Sequence, residues 1–126
     1  MNNPPKLIIV EDEAIIAQYL KMELEFTGYT VNGIYSNGKD CLAAVKSIET
    51  DVLLMDINLN GPMDGIDTAR EILKFKQVGI IFMTGFSEEL IKKRAMELLP
   101  VAFLSKPVEV EDLVTILEEI RIQNQA

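Results

Sequence analysis

Four apolar residues in a row, Val52-Leu53-Leu54-Met55, end on the carboxylate of Asp56. Asp51 precedes the run, and Asn58-Leu59-Asn60-Gly61-Pro62 follows it, so polar and turn residues bound it on both sides. A short stretch that is apolar at every position predicts a strand buried on both faces, as in a parallel sheet. This feature constrains the fold most, because a sheet buried on both faces needs a layer of helices on each. It also puts Asp56 at the carboxyl end of its strand, the edge where open α/β sheets bind ligands and do chemistry.

The rest of the chain supplies those layers. Residues 2–5 read as a disordered lead. Leu7-Ile8-Ile9-Val10 is a second buried strand, and it runs into Glu11-Asp12-Glu13. Residues 14–26 turn helical, with Ile16, Leu20 and Leu24 recurring every four residues, and Gly28 stops the helix. Residues 30–35 alternate more and contain Gly33, which suits an edge strand. Ser36-Asn37-Gly38 reads as a turn, and residues 40–48 form a helix with Leu42, Val45 and Ile48 inward. A third helix covers residues 66–74, and residues 79–84 form another apolar strand that ends on Thr84. Ser87 is the expected N-cap of a helix that runs to about residue 98 and stops before Pro100. Residues 101–104 are the last strand, Ser105-Lys106-Pro107 follow, and residues 110–122 are the last helix, ahead of a frayed tail. Strand and helix alternate five times. The expected fold is therefore α/β: a doubly wound five-stranded parallel sheet with five helices, in one domain over 1–126 with its core at about 6–122.

Composition narrows the chemistry. A 126-residue chain that is 48% hydrophobic can bury a real core. Its net charge of −8 disfavours direct binding to nucleic acid or an anionic membrane. There is no histidine, so imidazole acid–base chemistry and the usual zinc sites are excluded. One cysteine, Cys41, cannot form an internal disulfide, which suits a reducing compartment and a cytoplasmic location. No apolar run reaches membrane-spanning length.

Polar residues of distinct types follow the strands. Glu11 and Asp12 follow the first, Asp56 ends the third, Thr84 ends the fourth, and Lys106 lies just past the fifth. Each alone has a bland reading: a helix cap, a turn former, a surface charge. In a parallel sheet they share one edge, and the combination is far more specific. Three carboxylates in one cleft repel one another, and a bound cation resolves the conflict. Without His or paired Cys the ligands are hard oxygens, which suit Mg²⁺ or a similar ion such as Mn²⁺. A carboxylate beside such a cation, a lysine and a hydroxyl can act as a nucleophile toward phosphorus and form an aspartyl phosphate.

With these residues in place, the chain resembles a response-regulator receiver domain, the family of the chemotaxis response regulator, over residues 6–122. The resemblance implies the flavodoxin-like strand order 2-1-3-4-5. It also implies that Asp56 is the phosphoacceptor, Asp12 the main metal-binding acid with Glu11 assisting through water, and the Asn58 carbonyl a third protein ligand. Thr84 would be the switch hydroxyl, with the small Gly85 leaving access beside it. Lys106 would bind the phosphoryl group, the Lys106–Pro107 bond would be cis, and Phe103 would be the switch aromatic. The implied partners are a histidine kinase or a histidine-phosphotransfer protein, with homodimerisation through the fourth-helix, fifth-strand and fifth-helix face. Ile116 and Ile120 are candidates for that dimer face or for the core. The implied role is a phosphorylatable switch rather than a multiple-turnover enzyme.

Other classes fit less well. A haloacid-dehalogenase-type phosphatase wants a second acid two residues after the nucleophile, where this chain has Asn58. A flavodoxin-like cofactor binder wants a phosphate-cradling loop where Glu11-Asp12-Glu13 would repel phosphate. A non-phosphorylated docking module would not need the full set of Asp12, Asp56, Thr84 and Lys106.

Two features are particular to this chain. Ile15, Tyr19 and Met22 form a second apolar stripe on the first helix, either a widened core face or a docking surface for the phosphodonor. The loop after Asp56 is one residue longer than the usual receiver version, with a tight turn expected at Gly61-Pro62. Phe86, two residues past Thr84, occupies a position where polar residues often help place the hydrolytic water. A bulky apolar side chain there should slow loss of the phosphoryl group. Phe86→Glu is expected to raise the dephosphorylation rate, measured as decay of the phosphorylated chain; an unchanged rate would refute the idea.

Overall fold

The computed structural model describes residues 3–85 and 88–123. Its five strands are β1 (Lys6–Val10), β2 (Thr30–Tyr35), β3 (Val52–Asp56), β4 (Gly79–Thr84) and β5 (Ala102–Ser105). The helices between and after them are α1 (Ala14–Phe26), α2 (Gly38–Ala44), α3 (Gly65–Leu73), α4 (Glu89–Met96) and α5 (Val110–Gln123). The strands form one sheet in the order β2-β1-β3-β4-β5, and every pairing is parallel. The expected architecture and order are both observed. The order reverses between β1 and β3, so a crevice opens at their carboxyl ends.

Alternation along the strands divides the core into two layers. Ile8, Val10, Leu53, Met55, Ile80 and Phe82 pack under α2, α3 and α4. Leu7, Ile9, Val52, Leu54, Ile81 and Met83 pack under α1 and α5. All five residues of β3 are buried, Asp56 among them. The sheet is rigid because both of its faces are dry, and this rigidity fixes where the strand ends point.

Local chemistry adjusts several expected boundaries. The helix expected at residues 40–48 begins earlier, at Gly38, because Asn37 is its N-cap and accepts a hydrogen bond from the Asp40 amide at 2.8 Å. It also ends earlier, at Ala44. The third helix begins at Gly65 behind a capping box between Asp64 and Asp67. Glu88 stands at the N-cap of α4, while Ser87 lies outside the described residues, as does Phe86. The last strand is shifted by one residue, to Ala102–Ser105. Glycine in β2 marks an irregularity: the register against β1 slips between Leu7–Val31 and Ile8–Gly33.

The lead is less loose than expected. Pro5 is buried, and the next residue is tied at both backbone groups: the Lys6 amide donates to Asp51 Oδ2 at 2.7 Å and its carbonyl accepts from the Asp51 amide at 2.8 Å. Asn2 and residues 124–126 lie outside the described residues. Ile116 and Ile120 are half-buried against the α1/α5 layer, so core packing accounts for both. No helix among the described residues is long and apolar enough to cross a membrane.

Candidate functional site

The carboxyl edge of the sheet gathers the residues singled out above. Backbone bonds set their positions: the Ile57 amide donates to the Met83 carbonyl at 2.9 Å, and the Lys106 amide donates to the Thr84 carbonyl at 2.8 Å. These bonds tie the ends of β3, β4 and β5 together. Gly65 closes the arrangement from below. A Cβ at Gly65 would lie 2.1 Å from the Asp56 carbonyl oxygen, so only glycine lets α3 start this close to the strand end.

Asp56 is 1% exposed, and its carboxylate is held at both oxygens. The Asn58 amide donates to Oδ1 at 3.0 Å, and Lys106 Nζ stands 3.2 Å from Oδ2. Lys106 Nζ also lies 2.8 Å from Glu11 Oε2. That oxygen is buried, and the Lys106 ammonium is its charge partner. Glu13 is the N-cap of α1 and its side chain makes no cap bond, but its amide donates to Glu11 Oε1 at 3.2 Å. Glu11, Asp12 and Asp56 each offer an oxygen, and the three lie within 4.8 Å of one another. Three converging carboxylates beside a single lysine fit a hard divalent cation.

Burial is the largest influence on Glu11 and raises its carboxyl above the ordinary 4.5; the Lys106 ammonium opposes this and Asp56 adds to it. For Lys106, burial alone would lower the ammonium, but Glu11 and Asp56 together outweigh it and raise it. The repulsion expected among the acids is therefore present at Glu11 but smaller than the cost of its burial. Cys41 is buried in α2, and burial pushes its thiol up to about 12, as suits a packing residue.

The remaining residues take places that the strand pattern alone did not specify. The Thr84 hydroxyl is buried and donates to Asn58 Oδ1 at 3.0 Å, which places the Asn58 side chain at this edge beside Thr84. Asn60 Nδ2 donates to Asp12 Oδ2 at 3.1 Å. The Asn60 contact was not legible, because it depends on the path of the longer loop. That path is set by buried Leu59 and by Gly61 at φ +108°, which makes a bend where the tight turn was expected. Gly85 is exposed, and a Cβ there would meet nothing within 4 Å, so the fold itself does not demand glycine. The Lys106–Pro107 bond is cis, as the resemblance implies. Phe103 is half-buried against the α2/α3/α4 layer, with Lys92 Nζ 6.0 Å from its ring centre.

Beside this edge, α1 presents the second stripe to solvent. Ile15 is 86% exposed, and Tyr19 and Met22 are also exposed, which rules out a merely widened core face. Phe26, 90% exposed, extends the stripe by another turn. A groove of about 300 Å³ lined by Ile15, Ile16, Tyr19, Met83, Pro107 and Val108 leads from this stripe to Lys106.

Lys106 is the cation that balances two buried carboxylates, so Lys106→Met is expected to cost about 3–5 kcal/mol at pH 7 in chelator-treated buffer. Without Lys106, Glu11 would titrate still further above 4.5. An acid raised in the folded state destabilises it once ionised, so the deficit should shrink as pH falls toward about 4.5. Urea denaturation of both proteins at pH 7 and pH 5 measures this. A deficit that is absent at pH 7, or the same at both pH values, would contradict the electrostatic account.

Known proteins share this fold. The family model described as the response regulator receiver domain matches residues 7–118. The transcriptional regulatory protein PdtaR of Mycobacterium tuberculosis is 31% identical over 115 residues, which are 91% of this chain and 56% of the relative. The chain thus spans little more than half the length of that curated relative. Among solved structures, the signal receiver domain of a modulated diguanylate cyclase from Desulfovibrio desulfuricans is 31% identical with a TM-score of 0.88, covering 96% of each chain. A CheY-like receiver domain protein from Methanospirillum hungatei is 25% identical with a TM-score of 0.87, covering 95% of each. The chain belongs to the response regulator receiver domain family of two-component signalling.

Proposed function

We propose that residues 6–122 form a receiver unit that accepts a phosphoryl group on Asp56 and converts it into a change of surface. The observation that carries this reading is the Asp56 carboxylate, buried yet set 3.2 Å from Lys106 and within ligand distance of Glu11 and Asp12. The donor is a phosphohistidine on a kinase or phosphotransfer protein. Asp56 attacks the phosphorus, an O–P bond forms, and the N–P bond breaks to release the imidazole. Glu11, Asp12, Asp56 and the Asn58 carbonyl would hold Mg²⁺ or Mn²⁺. When bound, the cation offsets charge on the phosphoryl oxygens. Lys106 orients the transferring group and balances the resulting dianion.

The resting arrangement bears on the switch. Thr84 donates to Asn58 Oδ1, so a phosphoryl oxygen must win this hydroxyl from a neutral amide. A charged acceptor forms the stronger bond, which favours the exchange. Movement of Thr84 would let Phe103 follow and alter the face of α4, β5 and α5, where Leu90, Met96, Leu99 and Val101 are exposed. That face is the proposed homodimer surface. Taking such a switch from mostly off to mostly on requires about 5 kcal/mol of differential stabilisation. The phosphodonor is proposed to dock on Ile15, Tyr19 and Met22, beside the groove that leads to Lys106. A cytoplasmic, metal-dependent phosphoprotein that binds neither nucleic acid nor membrane directly completes the reading.

Intact mass after incubation with a small phosphodonor tests the chemistry. One added phosphoryl group is expected only with Mg²⁺ present and Asp56 intact, and Asp56→Asn should gain none. No adduct on the folded parent under any condition would favour a docking module instead. Ile15→Asp separates docking from chemistry: transfer from the protein donor should fall at least about tenfold, as for loss of a buried anchor, while the small donor reacts normally. Equal loss with both donors would count against the α1 surface.

A further inference from the structure

The three acids at the sheet edge are not equally secured. Glu11 and Asp56 are buried and share Lys106, with Nζ distances of 2.8 and 3.2 Å. Asp12 is only partly buried, and among the described residues its hydrogen-bond donor is the Asn60 amide, 3.1 Å from Oδ2 and 48 positions away in the chain. Repulsion from its two neighbours acts on Asp12, and an outlying carboxylate can escape it by swinging into water. Asn60 opposes that swing from a loop that is itself anchored, between buried Leu59 and the positive-φ bend at Gly61.

From this geometry we propose that Asn60 is a positioning residue for Asp12, assembling the three-carboxylate site before a divalent cation arrives. The chemistry of an amide suits the task. It donates to one carboxylate oxygen and leaves the other oxygen for the cation. It carries no charge, so it does not compete with the cation as a lysine would. Groups that orient metal ligands in this way contribute substantially to affinity. The proposal rests on the reading of Glu11, Asp12 and Asp56 as a cation site, and its test separates the two.

Direct titration with Mg²⁺ by calorimetry, and with Mn²⁺ by electron paramagnetic resonance, gives the affinity without any reaction. Asn60→Ala is expected to weaken both ions about tenfold. Asn60→Gln, which keeps an amide donor, is expected to recover most of the loss. Asn60 is exposed, so the thermal unfolding of both variants should match the parent. Phosphorylation by a small donor should reach the parent rate at saturating Mg²⁺, with the half-saturating concentration raised by the same factor as the dissociation constant. Asp12→Asn is the control and should abolish binding. If Asp12→Asn abolishes it while Asn60→Ala binds like the parent, Asn60 has no positioning role and the cation site stands. If Asp12→Asn binds like the parent, the cation site itself is wrong.

Discussion

The arrangement at the sheet edge depends on one compensated cluster of charge. Glu11 and Asp56 are each 1% exposed, and carboxylates so buried are tolerated only with a partner. Lys106 is that partner, and it reaches both from the far side of β4. A long, flexible ammonium can serve two acids at once without enforcing the planar fork of an arginine. The compensation is incomplete, since one lysine faces three acids. Electrostatically, the site is short of about two positive units, the charge of one divalent cation. Hydrophobic packing elsewhere in the sheet stabilises a cluster that would not hold itself together.

This division of labour explains what the sequence made legible. Strand ends could be read because buried strands are short apolar runs with sharp limits, and parallel pairing then sends all their carboxyl ends to one side. Asp56, Thr84 and Lys106 follow from that geometry without knowledge of any loop. Contacts made by loops could not be read so directly. Asn58 and Asn60 each hold a functional group of the site through a side chain, yet nothing in Asn58-Leu59-Asn60-Gly61-Pro62 distinguishes a site asparagine from a turn former. Only the buried side chain of Leu59, which folds the loop back onto the core, decides between them.

Helix limits show the same contrast. The α1 limits are plain because its apolar spacing begins and stops cleanly, whereas α2 begins two residues early through a cap that its apolar pattern does not reveal. Phe26 is the opposite case. It ends an apolar helix, where burial is the ordinary expectation, yet it is among the most exposed residues of the chain. With Ile15, Tyr19 and Met22 it completes a seam at intervals of four, three and four residues, the spacing by which one helix packs along another. Core and partner surfaces use the same residue types, so only the direction in which α1 faces the sheet separates them.

The route by which a change at Asp56 could reach the rest of the surface can be judged by magnitude. Two connections lead toward α4. One is external: Arg94 pairs with Asp64 and Asp67, each at 3.3 Å, and ties α4 to the capping box that starts α3. Its members are all partly exposed, and such pairs contribute at most about 1 kcal/mol each. The other is internal: Thr84 on β4, with Phe103 paired beside that strand in β5. A switch that needs about 5 kcal/mol of bias cannot draw it from Arg94 alone. The internal connection carries a buried hydroxyl that must be paired in either state, where an unmade bond costs about 1–3 kcal/mol and a bond to a charged acceptor is stronger still. The exposed pairs can set where α4 rests, but in the proposed switch the larger bias would come through the hydroxyl that Asn58 holds.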